Sequence, residues 1–230
     1  MIEFCRASVV VDTPDGDLTL LEPLTISLGE RRIGIIGANG SGKSTLARMV
    51  NGLIEPTSGR VLVDGRDVVD EGREVRRRVG FVFTNPDSQL VMPTVIEDVM
   101  LSLRRVEKNK SARRRRALEV LETIGLAQKA DVAVHALSGG QKQLLALAGV
   151  LAVEPDVVVA DEPTTLLDLQ NTVAVADKLF SMRQQLLLVS HDLSLMDRCD
   201  RVLVVDSARV VFDGTAVGAV EHYRELSVRR

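Results

Sequence analysis

Residues 31–45 read RRIGIIGANGSGKST, and no other stretch restricts the fold as strongly. The first half is an apolar run that suits a strand buried on both faces. The second half is G-x-x-x-x-G-K-[ST], and TLARMVNGL behind it has the pattern of a helix that ends at Gly52. Strand, glycine-rich loop and helix in that order form an α/β unit whose loop turns its backbone N–H groups onto phosphate oxygens. Gly37, Ala38, Asn39, Gly40, Ser41, Gly42, Lys43, Ser44 and Thr45 are therefore the expected nucleotide-binding residues. In this pattern Lys43 reaches the β- and γ-phosphates, and the Ser44 hydroxyl takes a place on Mg2+. A chance glycine-rich turn would not bring the lysine, the serine and both flanking elements with it.

Such a loop needs an acid at the end of a neighbouring core strand, and EPDVVVADEP (154–163) supplies one. Asp161 is expected to hold Mg2+ through water, and Glu162 to act as general base for an attacking water. QLLLVSHD (185–192) is another core strand, and it delivers His191 to the edge where open α/β sheets bind ligands. There His191 either donates to the γ-phosphate or orients Glu162. Lys43, Glu162 and His191 are the expected catalytic set. His135 and His222 lack that setting and receive no role.

The rest of the chain fits an α/β fold built around a parallel sheet. SGRVLVDGRDV (58–68) reads as a hairpin turning at Asp64-Gly65, VGFVF (79–83) as a buried strand, and RVLVVDSARVVFDG (201–214) as a closing hairpin. The N-terminal third has hairpin character, so an antiparallel β portion is expected beside the main sheet. Residues 87–152 carry little strand pattern and read as a helical lobe, with a helix over 111–124 stopped by Gly125. The expected division is one domain, with 1–86 and 153–230 forming the core and 87–152 the lobe.

Composition closes off several alternatives. The net charge of −3 gives no global field for nucleic acid, and the basic runs (Arg73 with Arg76 to Arg78, and Lys108 through Arg116) read as solvated helix faces. Cys5 and Cys199 make neither a disulfide framework nor a zinc spacing, which suits a reducing compartment. The N-terminus has no charged-then-apolar leader, and the longest apolar stretch, Leu144 to Val153, is too short to span a bilayer. Work at a membrane would then require a partner.

Residues 137–143 read LSGGQKQ and stand before the apolar run LLALAGVLAV. Two glycines at a helix mouth leave N–H groups open to an anion, which makes a second phosphate-facing feature in a chain that already has one. With GANGSGKST, VVVADEP, LSGGQ and His191 in one chain, the sequence resembles the ABC-transporter ATPases over essentially its whole length. The resemblance implies that ATP and Mg2+ are the ligands. It also implies that Ser138, Gly139, Gly140 and Gln141 serve the ATP held by a second copy, lying head to tail. Losing the γ-phosphate would then loosen the pair. Asp168, in TTLLDL, matches the acid that links the two sites across that interface; it also suits a helix cap, and both can hold.

NPDSQL followed by PTVIEDV (85–99) resembles the energy-coupling-factor branch, importers of vitamins and of cobalt or nickel ions. QLLALAGVL and DEPTTLLDL are most similar to the ATPase subunit of a biotin importer. The resemblance implies a homodimer at the cytoplasmic face of the membrane, held by a coupling subunit and a substrate-binding membrane subunit, with no nucleic-acid partner. A cobalt, nickel or other vitamin importer, or a soluble non-transport ATPase, are the alternatives. Gln89 is either a coupling contact or a plain exposed loop amide. Three positions depart from the family. Thr84 stands where a metal-ligating Gln is usual; it is shorter, though its hydroxyl could touch a metal-bound water. Val11 stands where an aromatic usually stacks on adenine, Phe4 being the nearest ring, so modest affinity and weak base discrimination are expected. Leu169 replaces a common Pro, with no consequence assigned.

Overall fold

The structure is a computed structural model and describes residues 1–228. Its strands are β1 (Ile2–Thr13), β2 (Gly16–Leu28), β3 (Arg32–Ile36), β4 (Ser58–Val63), β5 (Arg66–Asp67), β6 (Val79–Val82), β7 (Val157–Asp161), β8 (Gln185–Val189), β9 (Arg201–Asp206) and β10 (Arg209–Gly214). Its helices are α1 (Lys43–Met49), α2 (Gly72–Arg78), α3 (Val95–Leu103), α4 (Lys110–Glu122), α5 (Gly139–Leu151), α6 (Leu169–Ser181), α7 (Leu193–Met196) and α8 (Ala216–Val228).

The strands form two sheets. One has four strands in the order β2-β1-β4-β5, all antiparallel. The other has six, in the order β10-β9-β3-β8-β7-β6, parallel except for β10. The expected fold class, a parallel-centred α/β sheet with an antiparallel β portion and helices beside it, is what the chain adopts. The interior strands β3 and β7 are buried at every residue, as mostly apolar strands covered on both faces should be.

Three apolar clusters hold these layers. The first packs the antiparallel sheet and α1 against one face of the parallel sheet, with Phe4, Ile33, Leu46, Val61 and Val159 fully or almost fully buried. The second fills the opposite face beneath α5, α6 and α8. The third lies among α3, α4 and α5, centred on Ile96, Leu103, Leu121 and Leu145. Helix α5 contributes Leu147 to the second cluster and Leu145 to the third, so one helix ties the lobe to the sheet. Among the described residues, the isolated bridge in the segment 87–152 is Thr94–Ala133.

Candidate active site

Four adjacent parallel strands end at one edge, and each delivers a candidate residue there. β3 runs into the loop 37–42, β8 into Ser190 and His191, β7 into Asp161 and Glu162, and β6 into Phe83 and Thr84. The register levels these ends: Val189 pairs with Ile35 on one side and Asp161 on the other. An apolar strand that stops abruptly at a polar residue places that residue at the rim of the sheet, where ligands bind in open α/β folds.

The loop is shaped by glycine. Gly42, the N-cap of α1, has φ 108°, and a Cβ there would sit 2.7 Å from the Leu20 carbonyl oxygen. Only a residue without a side chain takes that conformation in that space. Lys43 is buried, and its Nζ donates to the Ala38 carbonyl at 2.7 Å, closing the loop on itself. Burial pushes its ammonium below the ordinary lysine range, while Glu162 and Asp161 pull it back up. The Ser41 hydroxyl is buried without a partner, an orphaned polar atom inside a loop made to face an anion.

Asp161 is 1% exposed. Its Oδ1 accepts from Ser44 Oγ at 2.8 Å, and its Oδ2 takes Arg48 Nη2 at 3.1 Å. A hydroxyl and a carboxylate are hard oxygen donors, and they suit Mg2+. No group of three or more His, Cys, Asp or Glu gathers among the described residues. Arg48 was not among the expected site residues. Its signal was position: it lies five residues after Lys43, on the short helix that the loop opens.

Glu162 occupies the left-handed region at φ 52°, a strained conformation for a side-chain-bearing residue. Its N–H donates to the Val189 carbonyl at 3.0 Å, which carries it across the sheet edge toward β8. There Oε2 accepts from Thr165 Oγ1 at 2.9 Å and lies 2.8 Å from His191 Nδ1. With Nδ1–H donating to the carboxylate, Nε2 carries a hydrogen only when the imidazole is charged. The histidine ring is thus seated on the carboxylate, the second of the two geometries expected for it.

Thr84 Oγ1 donates to the backbone carbonyl of Asp161 at 2.7 Å. Its hydrogen is directed at the end of β7, so only its lone pairs remain for a metal-bound water. Gln89 is not an exposed loop amide. It is half-buried, its Nε2 donates to Ala146 O at 3.1 Å, and its Oε1 accepts from the Phe83 N–H at 3.4 Å. Gln143, also unforeseen, is fully buried and donates to Phe83 O at 3.0 Å. Two amides therefore engage the N–H and the carbonyl of Phe83, joining the end of β6 to α5 one residue before Thr84. Phe4 is 1% exposed in the core and offers no face for stacking; Val11 is half-buried in the β1–β2 ladder opposite Leu18.

Ser138 caps α5: its side chain accepts from Gln141 N, and the Gln141 side chain accepts from Ser138 N, a reciprocal capping box. Gly140 lies against the first turn of α6. A Cβ there would be 2.1 Å from the Asn171 side chain, and the Asn171 amide donates to both Asp168 oxygens at 2.9 and 3.0 Å. Asp168 caps α6 through Asn171 N at 2.8 Å, so its capping role holds. Gly139 and Gly140, between the capping pair Ser138 and Gln141, thus pack against Leu167 and Asn171, on either side of Asp168. Among the described residues no hydrogen bond joins them to the loop 37–45.

A family model described as ABC transporter matches residues 23–165. The chain belongs to the ABC transporter family. This ABC protein is 42% identical over 92% of its length to the biotin transport ATP-binding protein BioM of Rhizobium etli, covering 94% of that chain. It is 40% identical over 83% of its length to an energy-coupling factor transporter ATP-binding protein of Halalkalibacterium halodurans, covering 70% of it. Among solved structures it superposes with a TM-score of 0.84 and 27% identity on a dimeric, post-hydrolysis form of the ATP-binding cassette MJ0796 bound to ADP and Pi, over 94% of this chain and 99% of that one. The ABC fold and an ATPase activity coupled to transport follow from the family, as does ATP as the nucleotide. The resemblance to the energy-coupling-factor branch is borne out by the named relatives.

Proposed function

We propose that this ABC protein hydrolyses ATP to energise an energy-coupling-factor importer, with biotin as the solute, and that two copies form each pocket. The observation that carries the pairing is that two phosphate-facing features of one chain rest on different elements. The loop 37–45 sits with Asp161, Glu162 and His191 at the sheet edge, while the capped mouth of α5 packs against Leu167 and Asn171, on either side of Asp168. A head-to-tail pair would bring Ser138, Gly139, Gly140 and Gln141 of one copy onto the γ-phosphate held by the other. The dimeric cassette with a similar fold supports this arrangement. The name of the Rhizobium relative supports biotin.

In such a pocket Lys43 would leave the Ala38 carbonyl for the triphosphate and offset its charge. Ser44 and, through water, Asp161 would hold Mg2+, which when bound neutralises phosphate charge. Glu162 would take the proton of the attacking water, with His191 and Thr165 holding its Oε2 in place. Thr84 would contribute at most an acceptor to a metal-bound water. Residues 87–152 act as the lobe that moves against the core, and Gln89 relays coupling through Phe83 and Ala146. No helix among the described residues is long and apolar enough to cross a membrane, so membrane subunits for coupling and for solute binding would hold the protein at the cytoplasmic face.

Complementation tests the shared pocket. A Ser138→Arg chain and a Lys43→Ala chain are each expected to be inactive. Mixed, they recover hydrolysis, because one pocket of a mixed pair draws both intact halves. No recovery, in a mixture shown to contain mixed pairs, would remove the two-copy site.

A further inference from the structure

The turn between α3 and α4 concentrates positive charge in an otherwise acidic chain. Residues 104–116 hold eight of the 29 Lys and Arg, with Glu107 their only acid. The turn is firmly built. Glu107 N donates to Leu103 O at 2.9 Å, and the Glu107 carboxylate accepts from Asn109 N at 2.8 Å. Asn109 caps α4 through Ser111 N and Ala112 N at 2.9 and 3.0 Å. Arg113 donates to the Glu107 carbonyl at 3.0 Å.

The neighbouring acids are committed elsewhere: Asp131 to Arg114, Glu154 to Arg116, and Glu97 to the Thr94 hydroxyl. Arg104, Arg105, Lys108 and Lys110 are exposed, and among the described residues they make no ion pair or side-chain hydrogen bond. Between them stands Val106, 52% exposed, with Leu101 39% exposed on the last turn of α3.

We propose that this turn is a docking surface for an anionic phospholipid bilayer. Four unpaired cations on a hydrogen-bonded turn match a layer of phosphate headgroups, and Val106 and Leu101 match the apolar layer beneath. The turn has no aromatic residue on which a base could stack, which disfavours single-stranded nucleic acid. Each cation near an anionic membrane surface contributes roughly a fivefold change in partition. This contact is direct, and it does not depend on the identity of the solute or on the two-copy pocket.

The test is flotation of the purified full chain with vesicles of phosphatidylcholine, with and without phosphatidylglycerol, at low and high salt. The parent is expected to float with the phosphatidylglycerol vesicles only, and to be released by salt. The combined variant Arg104→Gln, Arg105→Gln, Lys108→Gln, Lys110→Gln is expected to lose binding by roughly two orders of magnitude or more, while binding ATP as the parent does. Val106→Asp is expected to weaken flotation with the four cations intact. Equal flotation on neutral and anionic vesicles, or a combined variant that floats like the parent, overturns the proposal. So does a parent displaced by soluble glycerol phosphate, or one that retains duplex DNA and ignores phosphatidylglycerol.

Discussion

Arg48 Nη2 stands 3.1 Å from Asp161 Oδ2, on the carboxylate oxygen that Ser44 leaves free. A guanidinium therefore already neutralises the acid that a magnesium–nucleotide complex would use. Replacing it removes a competitor and also strips a buried anion of its partner. Arg48→Gln is expected to lower the Mg2+ concentration that half-saturates nucleotide binding. The nucleotide-free protein is expected to lose about 1 kcal/mol or less, because the arginine is partly exposed and screened. Calorimetric nucleotide titrations across a Mg2+ series, with a melt of the free protein, check both. An unchanged Mg2+ midpoint would mean that the ion pair and the metal do not compete.

Thr84 separates two effects that a single substitution would merge. Thr84→Val deletes the donor to the Asp161 carbonyl and is expected to destabilise the protein by about 1 kcal/mol, read from denaturant unfolding. Thr84→Gln restores the amide usual in the family at this position and is expected to raise the ATPase rate or Mg2+ affinity. If neither rises, the short side chain is no handicap here and the hydroxyl serves β7 alone.

The strands β7 and β8 are legible because each is an apolar run ended by a polar residue, and β3 because its apolar run opens directly into the glycine-rich loop. The loop 37–45 was legible for a related reason, since glycine spacing reports backbone conformation directly. β1 and β2 were visible only as hairpin character. Their ladder shifts register between Phe4 and Ala7 and again before Val9, and Arg6 has φ 51°, so the alternation that marks a strand is interrupted. Arg48 and Gln143 carry no such signal, because an arginine or glutamine on a helix is usually exposed. Their partners, Asp161 and the Phe83 carbonyl, are 113 and 60 residues away, and only the tertiary fold brings them together. Gln89 showed its chemistry but not its direction: the amide turns inward to α5.

Glu162 supports a sharp kinetic prediction. Glu162→Gln keeps the size of the side chain and removes its basicity. Hydrolysis is expected to fall by roughly 10²–10⁴-fold, the range of general-base contributions. ATP binding should persist, and a nucleotide-bound pair should accumulate in light-scattering measurements. Single-turnover rates equal to those of the parent would take the proton-accepting role away from this residue, and the strain at φ 52° would need another explanation.

Cys199 gives the pH dependence its clearest sign. Burial, reinforced by Asp200, pushes its thiol up to about 12 from 9.0, with Arg32 and Arg198 pulling back. Between those values the unfolded chain releases this proton while the folded chain keeps it. The folded state then binds more protons, and stability falls as pH rises through that window, by up to about 1.4 kcal/mol per pH unit from this group alone. Lys43 acts in the opposite sense: its ammonium is held below the usual range, so the unfolded chain binds the extra proton and stability rises with pH. A comparison with Cys199→Ala isolates the thiol. The variant should lose a component of the alkaline decline in urea unfolding that the parent retains. In the folded parent, an alkylating reagent at mildly alkaline pH should label the exposed Cys5 and spare the buried Cys199. Two thiols labelled at equal rates, or parallel alkaline stability curves, would show that Cys199 ionises as readily in the folded state as in the unfolded chain.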